Sequence, residues 1–139
     1  MSIRPFHLAF PVIDLAETQH FYQTVLGCTL GRTSTTWIDF NLFGHQLTAH
    51  LSPAEVQPVQ TNPVDGKAVP VRHWGVILDM ADWEQLADRL KQHDVTFVIA
   101  PYVRFKGEIG EQATMFLLDP SGNALEFKAF RDDAAIFAS

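Results

Sequence analysis

Arg-His-Trp-Gly-Val-Ile-Leu, residues 72–78, and Phe-His-Leu-Ala-Phe-Pro-Val, residues 6–12, are two strand-like runs that each carry a histidine in second place. An apolar side chain would be the less costly choice in a buried strand, so the repeated histidine asks for a reason. Each run leads into a helical pattern. Leu15, Phe21, Tyr22, Val25 and Leu26 share one face of a helix predicted over about 15–26, with Gly27 as its stop. Trp83, Leu86, Ala87 and Leu90 do the same over about 81–93. Strand patterns follow at about 28–33, 36–43 and 46–51 in the first half, and at 95–99, 113–118 and 123–129 in the second; the opening strands span about 6–12 and 73–79. The order β-α-β-β-β therefore occurs twice. Residues 36–44 overlay 114–122 without a gap, threonine on threonine at the start and glycine on glycine at the turn.

A repeat of this size implies that neither half buries its sheet alone. The expected fold is α+β: two βαβββ modules related by a pseudo-twofold, with curved mixed sheets enclosing a shared hollow and the helices outside. Module one covers about 1–52 and module two about 71–130 of a single domain, with a C-terminal tail at 131–139. The connection at 53–70 holds four of the eight prolines and reads as irregular.

Bulk composition narrows the function classes. A chain of 139 residues with 47% hydrophobic and 12% aromatic content has ample material for a core. A net charge of −6 argues against nucleic acid as a partner, and no basic run or long apolar stretch suggests a membrane. The opening Met-Ser-Ile-Arg-Pro has no signal-peptide pattern and the single cysteine, Cys28, cannot form an internal disulfide, so a cytoplasmic location is expected. Cys28 reads as a small packed residue.

Side chains alternate along a strand, so parity decides what each residue meets. In the first strand Leu8, Phe10 and Val12 suit the face under the helix, leaving His7, Ala9 and Pro11 on the other. In its counterpart Trp74, Val76 and Leu78 face the helix, and His73, Gly75 and Ile77 face away. In the last strand Leu125 and Phe127 pack against the helix while Ala124, Glu126 and Lys128 point to the hollow. Two histidines and a glutamate thus share one concave space, with small neighbours Ala9, Gly75 and Ala124 expected to leave room. A buried carboxylate is costly unless compensated, and a divalent cation compensates it. Two imidazoles and one carboxylate form the facial triad associated with open Fe(II) sites, although Mn, Ni or Zn accept the same donors.

The paired modules, the Phe21-Tyr22-x-x-Val25-Leu26-Gly27 run and the Asp119-Pro120-x-Gly122-Asn123-x-x-Glu126-Phe127 run resemble the vicinal oxygen chelate superfamily over essentially the whole chain. That superfamily includes glyoxalase I, extradiol dioxygenases, fosfomycin resistance proteins and bleomycin-binding proteins. The resemblance implies a metal held by His7, His73 and Glu126. It also makes the position related to Glu126 by the repeat informative, because glyoxalase-like members carry a fourth ligand, a glutamate, near it. Here that position is Thr48, in a strand without a carboxylate, so a three-ligand site is expected.

The resulting expectation is an extradiol dioxygenase-like enzyme that cleaves a catechol-type diol with O2. His50, on Thr48's face, is the expected acid/base group, or a fourth ligand if the register shifts. Tyr102, Arg104 and Thr48 are the expected substrate contacts, with Arg104 and Lys106 brought to the mouth by a loop joining two strands. Rival readings are a glyoxalase-type lyase or isomerase, a metal-free module that sequesters a small molecule, and an epoxide-opening enzyme. A homodimer is expected, with Ile136 and Phe137 of the tail as contact residues.

Overall fold

The computed structural model describes residues 2–138. The chain forms two compact units. One comprises the residues up to Pro58 together with Asp119–Gly122, and the other Val59–Leu118 with the residues from Asn123 onward. Among the described residues no helix is long and apolar enough to cross a membrane.

The first unit contains β1 (His7–Val12), helix α1 (Leu15–Gln19) running into a π-helical turn (His20–Val25), β2 (Thr29–Thr33), β3 (Trp37–Leu42) and β4 (His45–Leu51). Its sheet has the order β1-β4-β3-β2, with β1 parallel to β4 and the other pairs antiparallel. Asp14 caps α1 by accepting from the Glu17 amide, one of the donors a helix start leaves without an internal partner.

The helix expected over 15–26 is present, but its second half widens: Leu26 N–H donates to the Phe21 carbonyl at 2.8 Å, five residues back. The wider turn lets Phe21, Tyr22 and Val25 all be buried. Tyr22 stacks on Phe40 with centroids 5.2 Å apart and lies 5.5 Å from Phe10. The helix face of the sheet is the one parity assigns: Phe10, Val12, Ile38, Phe40, Leu42, Leu47 and Ala49 are buried there. Each large side chain so buried contributes about 1.5–3 kcal/mol. The other face carries His7, Ala9 and Pro11 of β1, Trp37, Asp39 and Asn41 of β3, and Gln46, Thr48 and His50 of β4 in cross-strand rows. The 119–122 turn is tied into this unit. Tyr22 Oη donates to Asp119 Oδ2 at 2.8 Å, and Ile13 N–H donates to Ser121 Oγ at 2.9 Å.

The second unit contains β5 (Thr61–Val64), β6 (Lys67–Pro70), β7 (His73–Trp74), β8 (Ile77–Leu78), α2 (Met80–Gln92), β9 (Phe97–Arg104), β10 (Gln112–Leu118) and β11 (Ala124–Phe130). Its main sheet runs β7-β11-β10-β9, with β8 also on β11. Leu78, Trp83, Leu86, Leu90, Met115, Leu117, Leu125 and Phe127 form the apolar layer of this unit, and Trp83 Nε1 donates to the Phe127 carbonyl.

Three expectations are corrected here. The connection at 53–70 is not irregular throughout: β5 and β6 form an antiparallel ribbon, closed by Asp65-Gly66 with φ of 50° and 79°. Asp-Gly is a strong hairpin signal, and prolines are tolerated because a two-stranded ribbon leaves N–H positions unpaired. The strand expected at 73–79 is interrupted at Gly75 and Val76. The strand expected at 95–99 runs to Arg104 and carries a bulge. Ile99 pairs with Phe116 and Tyr102 with Thr114, so β9 fits one more residue than β10 between the two pairs.

Candidate metal centre and adjoining cavity

On β11 the alternation places Ala124, Glu126 and Lys128 on one face, and β7 lies parallel to it with His73 opposite Ala124. His73 Nε2 comes to 3.2 Å from Glu126 Oε1. On its other side the ring is held by the Pro70 carbonyl, 2.7 Å from Nδ1. A carbonyl only accepts, so Nδ1 carries a proton, and it is Nε2 that is left to face Glu126. Glu126 is oriented as well, because Thr114 Oγ1 donates to its Oε2 at 2.6 Å. An imidazole nitrogen and a carboxylate oxygen, each fixed by a hydrogen bond behind it, therefore face one another. A divalent metal fits this donor set, including the outer-shell bonds that orient metal ligands. The pair is only partly covered, with 29% and 15% of the two side chains exposed.

Gly75 explains the close packing. A β carbon there would stand 1.6 Å from the Glu126 carbonyl oxygen. Its smallness lets two backbones meet, which corrects the expectation that it clears space in the hollow.

A cavity of about 240 Å³ opens beside the pair. Thr114 and Tyr102 are cross-strand neighbours, as are Phe116 and Glu126. Phe116 meets the His73 ring edge to face at 5.0 Å. Tyr102 and Arg104 line the same cavity. They do so from a strand rather than the expected loop, and the bulge is what lets both Ile99 and Tyr102 face inward. Arg104 is ion-paired with Asp65 of the ribbon turn, and Lys67 lies over the Tyr102 ring at 5.0 Å.

Of the expected ligands the structure brings together His73 and Glu126. His7 belongs to the first unit, exposed at the start of β1 opposite Gln46. Among the described residues no group of three or more His, Cys, Asp and Glu side chains is gathered to hold a metal ion. His50, also in the first unit, is exposed near the end of β4, beside a depression of about 370 Å³ shared with Thr36 and Glu55. Thr48 is buried and gives its hydroxyl proton to Asp39 Oδ1 at 2.7 Å.

Asp39 is the group that sequence reasoning missed. It is a buried carboxylate on the face shared with His7 and Thr48, and Arg32 Nε reaches its other oxygen at 3.4 Å. Both sheets thus hold a threonine–carboxylate pair, with the acid on β3 in one and on β11 in the other. Alternation from Trp37 would have found it, since Trp37, Asp39 and Asn41 share a face. Cys28 is buried, and that burial pushes its thiol up to about 12, as expected of a packed residue rather than a nucleophile.

The model of the Glyoxalase/Bleomycin resistance protein/Dioxygenase superfamily matches residues 4–127. A solved glyoxalase/bleomycin resistance protein/dioxygenase from Alicyclobacillus acidocaldarius is 38% identical over 96% of each chain, with a TM-score of 0.80. Two more distant structures share the fold. A fosfomycin resistance protein, FosX, from Listeria monocytogenes has 16% identity, covers 93% of this chain and 94% of its own, and has a TM-score of 0.68. A lactoylglutathione lyase from Agrobacterium tumefaciens has 17% identity, covers 96% of each chain, and has a TM-score of 0.65. No curated protein sequence gives a significant match.

Proposed function

Since the chain belongs to the glyoxalase/bleomycin resistance protein/dioxygenase superfamily, we propose that it is a metal-dependent enzyme of the extradiol type, opening the ring of a small aromatic diol with O2. The observation that carries this reading is the His73–Glu126 pair, two oriented donors meeting at 3.2 Å on the wall of a cavity. The proposed ligand set is His7, His73 and Glu126, with His7 coming from this chain or from a second copy in a homodimer. A divalent cation, Fe(II) by preference with Mn, Ni or Zn as substitutes, would supply Lewis acidity and, as iron, a route for electrons from the diol to O2.

The chain's own residues hold and shape the site. The Pro70 carbonyl keeps the proton on His73 Nδ1, and the Thr114 hydroxyl keeps Glu126 Oε1 turned toward His73. Phe116 and Tyr102 offer aromatic walls to a flat ring. In the reaction, the ring C–C bond beside the diol breaks and both atoms of O2 enter the product. His50 is the proposed group for moving protons between diol and oxygen.

Asp39 favours a second reading. A carboxylate held by Thr48 on the His7 face suits proton shuttling in a lyase or isomerase reaction. Oxygen uptake by iron-loaded protein with a panel of catechols, set beside isomerisation of a hemithioacetal by the nickel- or zinc-loaded form, separates the two. Hemithioacetal turnover without oxygen uptake on any diol would reject the ring-opening assignment.

A further inference from the structure

Resting on the reading of His73 and Glu126 as metal donors, we propose that the natural substrate carries a carboxylate or similar anionic group and that Lys128 receives it. The cavity holds three cationic side chains, Lys67, Arg104 and Lys128, in a chain whose net charge is −6. Two have partners inside the protein: Arg104 is paired with Asp65, and Lys67 rests over the Tyr102 ring. Lys128 is half-buried, and among the described residues its ammonium makes no ion pair or hydrogen bond. Glu126, two residues away on the same strand face, forms no ion pair with it; its two oxygens are directed to His73 and Thr114.

An ammonium that no acidic side chain pairs is open to an incoming anion, which it can hold through a charge-assisted hydrogen bond. The spacing also fits. Positions i and i+2 of a strand are about 7 Å apart, roughly the span of a benzene ring with substituents at opposite ends. Lys128 stands in the cross-strand row of Thr114 and Tyr102, so an anion there would leave the ring beside Tyr102 and its far end toward His73 and Glu126. The geometry points to an aromatic acid rather than a neutral diol.

The test is calorimetric titration of the metal-loaded protein with catechol, 3,4-dihydroxybenzoate and benzoate. The wild-type protein should bind 3,4-dihydroxybenzoate at least about tenfold more tightly than catechol. That ratio should fall to near one in Lys128→Gln and be largely retained in Lys128→Arg, with thermal unfolding confirming that both variants are folded. Equal affinities in the wild type, or a preference that survives Lys128→Gln, would overturn the proposal while leaving diol binding intact. If neither diol binds but benzoate does, and Lys128→Gln abolishes it, the anion site stands and the diol reading falls. Absence of benzoate and dihydroxybenzoate binding rejects the anion site outright.

Discussion

The α carbon of Gly75 lies against the backbone of Glu126 so closely that no β carbon fits between them, the carbonyl oxygen being 1.6 Å from where that carbon would be. The obstacle is main chain, which cannot rotate aside as a side chain can. Gly75→Ala should therefore push β7 from β11 and separate His73 from Glu126. We expect a loss of about 2 kcal/mol or more in unfolding free energy, with weaker metal binding alongside. Urea denaturation and metal titration check both. A variant as stable and as metal-avid as the parent would contradict the packing described for this strand.

The outer hydrogen bonds of the donor pair should matter nearly as much as the donors. His73→Ala should remove most bound metal while the protein stays folded, as read by elemental analysis and circular dichroism. Thr114→Val keeps the shape but withdraws the hydroxyl that orients Glu126. It should weaken metal affinity by about 10- to 100-fold. Retained affinity in Thr114→Val would show that the hydroxyl does not set the carboxylate's orientation.

Tyr22 and Asp119 form a buried hydrogen bond across ninety-seven positions of sequence. Tyr22→Phe removes one donor from a buried carboxylate and should cost about 1–3 kcal/mol. The loss should show as a lower urea midpoint with an unchanged slope, since no extra surface is exposed. A midpoint equal to the parent's would mean that the bond contributes nothing net.

Alkaline pH should destabilise the fold through two groups that are neutral when protonated. Burial pushes the Cys28 thiol from an ordinary 9.0 up to about 12. The Tyr22 hydroxyl is raised well above 10.0, chiefly by burial and then by the Asp119 charge. The folded state thus keeps protons that the unfolded chain releases. The stability they confer is complete below the unfolded values and is lost as pH climbs from there toward the folded ones. Unfolding free energy should fall by roughly 1.4 kcal/mol per pH unit for each group past its unfolded value. Urea midpoints at pH 8, 9, 10 and 11 measure this, and Cys28→Ala should flatten the curve between pH 9 and 10. An unchanged slope in that variant would locate the alkaline effect elsewhere.

Much of this is legible in alternation and periodicity. Phe10 on the helix face, and His73, Glu126 and Lys128 on the opposite one, follow from parity alone. What escapes depends on contacts between distant segments. The widened turn at 20–25 answers to the burial of Phe21, Tyr22 and Val25 together, which no local pattern states. Gly75 reads as an ordinary small residue until Glu126 is placed against it. Arg104 reads as a loop cation because Pro101 hides the continuation of β9, whose bulge absorbs the proline. Asp39 escapes because the internal repeat points to β4, while the carboxylate comes from the strand across the ladder.

The membership of the 119–122 turn in the first unit has a practical consequence for dissection. A gene cut within the 53–70 connection would strand this tetrapeptide on the wrong fragment, so that the amino-terminal piece lacks the acceptors for Tyr22 Oη and Ile13 N–H. Split-protein complementation or half-length expression should accordingly fail to give two self-sufficient products, however closely the two sequences echo each other.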